Sequence, residues 1–396
     1  MSELFWPGDR RAGALFSDRA FVDAMTRVEL AWLRVLSDAG LAPEADPDVV
    51  PALDVAEVAD GTEAGGNPVI LLVRRLRERL PESTALWLHR GLTSQDVLDS
   101  ALMLCLRDAL DQVLDDVRRQ VVALVALAER HRDAVQAGRT LTQHAVPTTF
   151  GLTAASWLAG VLDGADELQA VRAALPVQAG GAAGTLSAVT ALAGGGADAG
   201  RLVEALATEL ELRPSLPWGV NRRPITRAGD ALVAGLDAWG RIANDVLLRS
   251  RPEIGELAEA APGGSSTMPH KQNPVLAVLI RRAAITAPFA AAQLHAAAAA
   301  VVDERPDGAW HAEWSPLRTL ARTAAIAAAQ TADLLAGLRV DAARMRATAE
   351  AAGESLLAEA RAMGTDPASI DDYLGRTGAI VDQVLDRAAA FTKMAP

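Results

Sequence analysis

SQDVLDSALMLCLRDALDQVLDDVRRQVVALVALAERHR, residues 94–132, carries apolar side chains at helical spacing throughout. Leu106, Leu110, Val113, Val117, Val121, Leu124 and Ala128 recur at steps of three and four, while Asp108, Asp111, Asp115, Arg118 and Arg119 fall mostly on other faces. That period predicts one amphipathic helix, roughly 55–60 Å long at about 1.5 Å per residue. Helices in globular domains average about three turns, so one this long belongs to a bundle. Further long helices are predicted near 148–175, 224–249, 274–302 and 316–337, separated by Gly- and Pro-rich breaks such as 180–184, 194–196 and 261–264. Pro224 and Pro274 stand where a first helical turn tolerates proline. The expected fold is all-α. An elongated central bundle over 93–337 is flanked by smaller helical domains at 1–92 and 338–396, with no strand-rich region apparent.

Composition agrees. Half of the 396 residues are apolar and Tyr373 is the only tyrosine, which favours helices over sheets. A net charge of −12 argues against nucleic acid as the main partner. Cys105 is the sole cysteine, so no intramolecular disulfide forms, and its apolar setting reads as a small core residue. The first nine residues lack the basic and apolar regions of a secretory signal. The most apolar stretch, 283–302, is built of alanine and interrupted by Pro288, Gln293 and His295. It is expected to be a tightly packed buried helix of a cytoplasmic protein, not a membrane span. With apolar residues on several faces it needs more cover than one bundle offers, so self-association is expected.

The chemistry concentrates in GGSSTMPHKQNP, residues 263–274. This is a glycine-hinged loop bearing hydroxyls, a cation and an amide, which runs into a helix start. Helix N-termini favour anions. Lys271 adds a full charge and Asn273 amide donors, enough to hold a carboxylate whose negative charge grows as its α-proton leaves. Ser265 is the candidate base, with neighbouring N–H groups and Lys271 lowering its pKa. Ser266 and Met268 are candidate substrate contacts in the same loop. The six histidines are scattered, without metal-ligand spacing, so neither metal nor organic cofactor is expected.

The string fits G-S-S-x-M-P-x-K-x-N-P, which random sequence matches about once in 10¹⁰ windows. In it the chain resembles the fumarase/aspartase superfamily. HRGLTSQD at 89–96 and GRTLTQHAVPTT at 138–149 resemble the superfamily's other two active-site blocks. The resemblance runs from about Leu4 to Ala390. It implies a homotetramer whose active sites each draw the three blocks from three subunits and take a small polycarboxylate. It implies Ser265 as the base and Lys271 with Asn273 as the carboxylate grip. Thr93, Ser94, Gln95 and Thr140 become substrate contacts, joined by His89, Thr142, Gln143 and His144. Blander roles stay open: Thr93-Ser94 as a helix cap with Asp96 in the first turn, and His144 as an interface histidine.

Two departures matter. Fumarases and adenylosuccinate lyases usually pair a histidine after G-R-T with a glutamate seven residues beyond the signature lysine; this chain has Leu141 and Val278 there. Such an acid serves poor leaving groups, whereas a carboxylate, with a pKa near about 4, leaves or attacks as the anion. The chain accordingly resembles the 3-carboxy-cis,cis-muconate cycloisomerases of aromatic catabolism, which add an internal carboxylate across a double bond to close a lactone. LFWPGD at 4–9, GGNPVI at 65–70, TLTQH at 140–144 and WHAEW at 310–314 resemble the same group. The alternatives are elimination of another stable anion such as nitrite, an adenylosuccinate-type C–N lyase, and an inactive structural homologue. Glu313-Trp314, where adenylosuccinate lyases show Glu-Arg, weakens the purine reading. His311 and Arg222 are further binding candidates, the latter set against a plain surface salt bridge.

Overall fold

The structure is a computed structural model that describes residues 4–44, 52–194 and 196–393. Helices of nine residues or more are α1 (Asp18–Asp38), α2 (Val69–Arg77), α3 (Ser94–Arg130), α4 (Phe150–Arg172), α5 (Gly196–Leu210), α6 (Arg223–Arg249), α7 (Val275–Ala299), α8 (Gly308–Ala336), α9 (Ala342–Ala352) and α10 (Thr377–Lys393). Five of them, α3, α4, α6, α7 and α8, are the long helices that periodicity predicts. The chain forms two compact units. One comprises Met1–Gln112, Leu168–Ala231 and Pro288–Ala325; the other comprises Val113–Glu167, Leu232–Ala287 and Ile326–Pro396.

In the first unit, α1 begins at Ser17, whose hydroxyl accepts the Ala20 N–H at 3.1 Å. Trp32, Leu33 and Leu36 of α1 and Leu72 and Leu76 of α2 are fully buried. The same two helices hold the turn before α3. Trp32 Nε1 donates to Arg90 O (2.8 Å), and Arg77 Nη2 donates to Leu88 O (2.9 Å). At the start of α3 the Asp96 carboxylate accepts the Thr93 N–H at 3.0 Å, as in a capping box.

In the second unit, small residues let helices approach closely. A Cβ on Gly164 would sit 3.2 Å from Gly235, and one on Gly240 only 2.5 Å from Ala284. Gln120 of α3 joins α6 and α8, accepting from Trp239 Nε1 at 2.7 Å and donating to Ala328 O at 2.9 Å. Both the oxygen and the nitrogen of its amide thus have partners where it is buried. Arg387 of α10 pairs with Asp163 and Asp166 of α4 at 2.6 and 2.7 Å.

The fold is mainly helical as expected, and one expectation, the start of α8, needs correction. Two small antiparallel sheets are present: β1 (Val135–Thr140) with β2 (Gln143–Thr149), and β3 (Leu257–Glu259) with β4 (Leu338–Val340). Val135 and Ala137 of the first pack with Ala349, Leu356, Leu357 and Ile370. Helix α8 does not start at Pro316 but at Gly308, with the proline inside. A proline there frees the carbonyl four residues earlier, and Gln293 Nε2 donates to that Ala312 O at 3.3 Å. As expected of a helix that needs more cover than one bundle offers, α7 is not buried all round in one chain. Ala277, Ile280, Ala283, Ala287, Ala291, Leu294 and Ala297 form a buried stripe, while Val278, Ile285 and Phe289 are 51%, 57% and 75% exposed. By length and apolar composition α7 alone, among the described residues, could also cross a membrane.

Candidate active site

The first block lies where the turn held by α1 and α2 enters α3. Thr93 and Ser94 are half-buried at the helix start, where free N–H groups and the macrodipole favour an anion. Thr93 Oγ1 accepts a hydrogen bond from Arg305. Gln95 is 3% exposed, and its Nε2 donates to Gly219 O at 2.7 Å and Asp99 Oδ2 at 3.3 Å. Its amide hydrogens are used within the protein. Asp96 is fully buried and accepts N–H bonds from Thr93, Gly180, Gly181 and Gln178 Nε2. Burial pushes its carboxyl up to about 6 against the pull of those donors.

His89 holds a left-handed backbone (φ 65°) that turns its ring toward α1, placing Nδ1 2.6 Å from Glu29 Oε1. Burial alone would lower the imidazole pKa; the Glu29 hydrogen bond and charge, helped by Asp96, outweigh it and raise the value. The imidazolium–carboxylate pair therefore adds stability that is complete below the unfolded histidine pKa of about 6.5 and is lost as pH rises through the raised one. Glu29→Gln is expected to lower the His89 titration midpoint, read from its ring resonances by NMR. A midpoint that stays put would contradict this pairing.

The second block is the β1–β2 hairpin. Thr140 pairs with Gln143, leaving Leu141 and Thr142 as a two-residue turn with φ of 48° and 71°. Such turns ordinarily use Asn or Gly, and a β-branched threonine at positive φ is strained. The turn holds Thr140, Thr142, Gln143 and His144 exposed at the tip. Arg139 anchors the hairpin through two bonds, 2.6 and 3.1 Å, to the fully buried Glu256. Gly138 is obligatory, since a Cβ would lie 2.6 Å from Val146 O.

The signature loop is pinched at its base. Gly263 and Asn273 exchange N–H···O bonds of 2.8 Å in both directions, and Asn273 Nδ2 donates to Gly264 O at 2.8 Å. Asn273 thus ties the base of the loop. Glu259, 4% exposed, accepts the N–H groups of Leu276 (3.2 Å) and Ala277 (2.8 Å) and so caps α7 beyond the loop. Within the loop, Ser265 Oγ accepts the N–H of Met268 at 3.1 Å and of Thr267 at 3.4 Å. Two N–H donors on this oxygen favour the alkoxide. Ser266, Met268 and Lys271 are exposed. Among the described residues no hydrogen bond or ion pair joins the hairpin tip to this loop. Leu141 and Val278, at the positions of the usual acid pair, are 95% and 51% exposed.

A protein family described as lyase matches residues 73–288, more than half of the chain. The chain belongs to the fumarase/aspartase superfamily. A nitrosuccinate lyase from Streptomyces davaonensis is 45% identical over 361 residues, covering 87% of this chain and 76% of that protein. A 3-carboxy-cis,cis-muconate cycloisomerase from Bradyrhizobium diazoefficiens is 39% identical over 363 residues, with 88% and 78% covered. The crystal structure of 3-carboxy-cis,cis-muconate lactonizing enzyme from Pseudomonas putida has a TM-score of 0.85 at 30% identity, covering 96% of this chain and 97% of that one. The protein is an enzyme of this superfamily, with its mainly helical fold.

Sequence reading missed Arg305, whose guanidinium meets Thr93. Its only cue is a charged break, DERPDG at 303–308, between two long helices. Arg222 was set against a surface salt bridge but is fully buried, pairing with Asp99 and Glu313 at 2.7 and 2.8 Å. His311 places Nε2 2.7 Å from Gly66 O, joining the WHAEW and GGNPVI motifs.

Proposed function

We propose that the enzyme catalyses an addition–elimination on a small polycarboxylate in which the added or expelled group is an anion needing no proton. The observation that carries this is the paired loss of the acid positions, Leu141 and Val278, beside an intact Ser265 whose oxygen accepts two N–H bonds. The leading reaction is that of 3-carboxy-cis,cis-muconate cycloisomerase. A substrate carboxylate oxygen attacks the conjugated double bond and forms the lactone C–O bond. Negative charge moves onto a second carboxylate, held by Lys271 and the Thr93–Ser94 helix start. Ser265 then gives its proton to carbon and regains one from solvent. Several cycloisomerases among the relatives and the lactonizing-enzyme structure support this.

Nitrite elimination from nitrosuccinate is the second reading, favoured by the 45% identical relative. There Ser265 takes the α-proton and nitrite departs as the anion. The chemistry is the same in outline, with the anion leaving instead of attacking. An assay panel separates the two: loss of ultraviolet absorbance with 3-carboxymuconate, nitrite release from nitrosuccinate, and controls with adenylosuccinate and fumarate. Turnover of 3-carboxymuconate is expected. Nitrite release alone would select the second reading, and turnover only of adenylosuccinate would reject both.

Thr140, Thr142, Gln143 and His144, with His89, Ser266 and Met268, are proposed as substrate contacts. Lying at three separate stations of the chain, all of them exposed except the half-buried His89, they call for neighbouring subunits to complete the site. The uncovered apolar side chains of α7 supply a surface for this. We propose a cytoplasmic homotetramer, of which that uncovered face supports the self-association.

A further inference from the structure

Arg222 has five N–H donors, and all are used inside the protein. Nε donates to Glu313 Oε1 at 3.0 Å. Nη1 donates to Asp99 Oδ2 at 2.7 Å and Gly219 O at 3.2 Å. Nη2 donates to Asp99 Oδ1 at 3.1 Å and Glu313 Oε2 at 2.8 Å. The three charged side chains are 0% exposed. Asp99 also accepts from Trp310 Nε1 (2.9 Å) and Gln95 Nε2 (3.3 Å), and the Trp218 ring lies 4.8 Å from the guanidinium. A saturated guanidinium has nothing left for a substrate, so Arg222 is no binding residue.

The node joins three segments: the first turns of α3 (Gln95, Asp99), the 217–222 loop, and the first turns of α8 (Trp310, Glu313). Holding them together does not require charge, since apolar trios of similar volume often replace buried ion triads at no loss of stability. What apolar contacts lack is direction, whereas the guanidinium fork fixes angle and register. The segments at its two edges carry the proposed carboxylate contacts Thr93 and Ser94 and the cation beside them, Arg305. Thr93 and Ser94 precede Gln95, and Arg305 and His311 flank Trp310. Arg305 already reaches the Thr93 hydroxyl.

We infer that Asp99, Arg222 and Glu313 are positioning residues that set the spacing between the Thr93–Ser94 hydroxyls and the Arg305 guanidinium, so that together they fit one substrate carboxylate. This rests on the reading of Thr93 and Ser94 as carboxylate contacts. The test is the triple variant Asp99→Leu, Arg222→Met, Glu313→Leu, examined for melting temperature, kinetics and calorimetric binding of propane-1,2,3-tricarboxylate. The variant is expected to melt near wild type, with KM and tricarboxylate Kd raised about tenfold and kcat changed far less. A variant as stable as wild type with unchanged KM and Kd overturns the inference, leaving the node a purely structural one. Should the triple variant not fold, Glu313→Gln carries the test, with Kd raised about threefold expected and an unchanged Kd overturning. Binding of the tricarboxylate without turnover of any panel substrate condemns the proposed reaction and still judges the node through Kd. No carboxylate binding by wild type overturns both.

Discussion

Ser265→Ala is expected to lower kcat by about a thousandfold, the usual range for losing a positioned general acid–base, while KM moves little. The argument is local. Ser265 Oγ accepts N–H bonds from Thr267 and Met268, which prepares the oxygen for negative charge. The loop's base does not depend on it, since Gly263 and Asn273 close it through backbone bonds. The variant should therefore fold as wild type does, within about 0.5 kcal/mol for a substitution that opens no core. Steady-state kinetics with a thermal melt checks both halves. Activity within threefold of wild type would remove Ser265 from the mechanism.

Phe289→Glu is expected to break the proposed tetramer. Phe289 is 75% exposed in the protomer and shares α7's uncovered apolar side with Ile285 and Val278. Glutamate costs the isolated chain little there. In a subunit interface it would bury an unpaired carboxylate, at several kcal/mol for every copy. Sedimentation should show smaller species, and activity at submicromolar protein should fall at least about tenfold as shared sites come apart. A tetramer of normal activity would show that this face lies outside the interface.

How much of this was legible in the chain depended on distance. The α3 helix was legible almost to the residue because its period persists over 37 residues. All seven stripe positions, Leu106 through Ala128, are buried. The start of α8 was not legible: Pro316 looks like a beginning, and the amide that satisfies Ala312 O comes from Gln293, on another helix. The β1–β2 hairpin was hidden because its turn is Leu141-Thr142, without the Asn or Gly that ordinarily marks positive φ. In the site, the signature string foretold backbone donors around Ser265. It did not foretell that Asn273 pins Gly264, which follows from how closely the loop's two ends approach. Arg222 read as isolated because its partners, Asp99 and Glu313, lie 123 and 91 positions away.

The most direct test of a site shared between protomers is subunit complementation. Ser265→Ala and Thr93→Val proteins, each inactive alone, are denatured, mixed in equal amounts and refolded together. If the serine loop and the Thr93 block of one site come from different subunits, about a quarter of the mixed sites hold both native residues, and that share of activity should return. Mixed tetramers, verified by native mass spectrometry, that stay inactive would contradict the account.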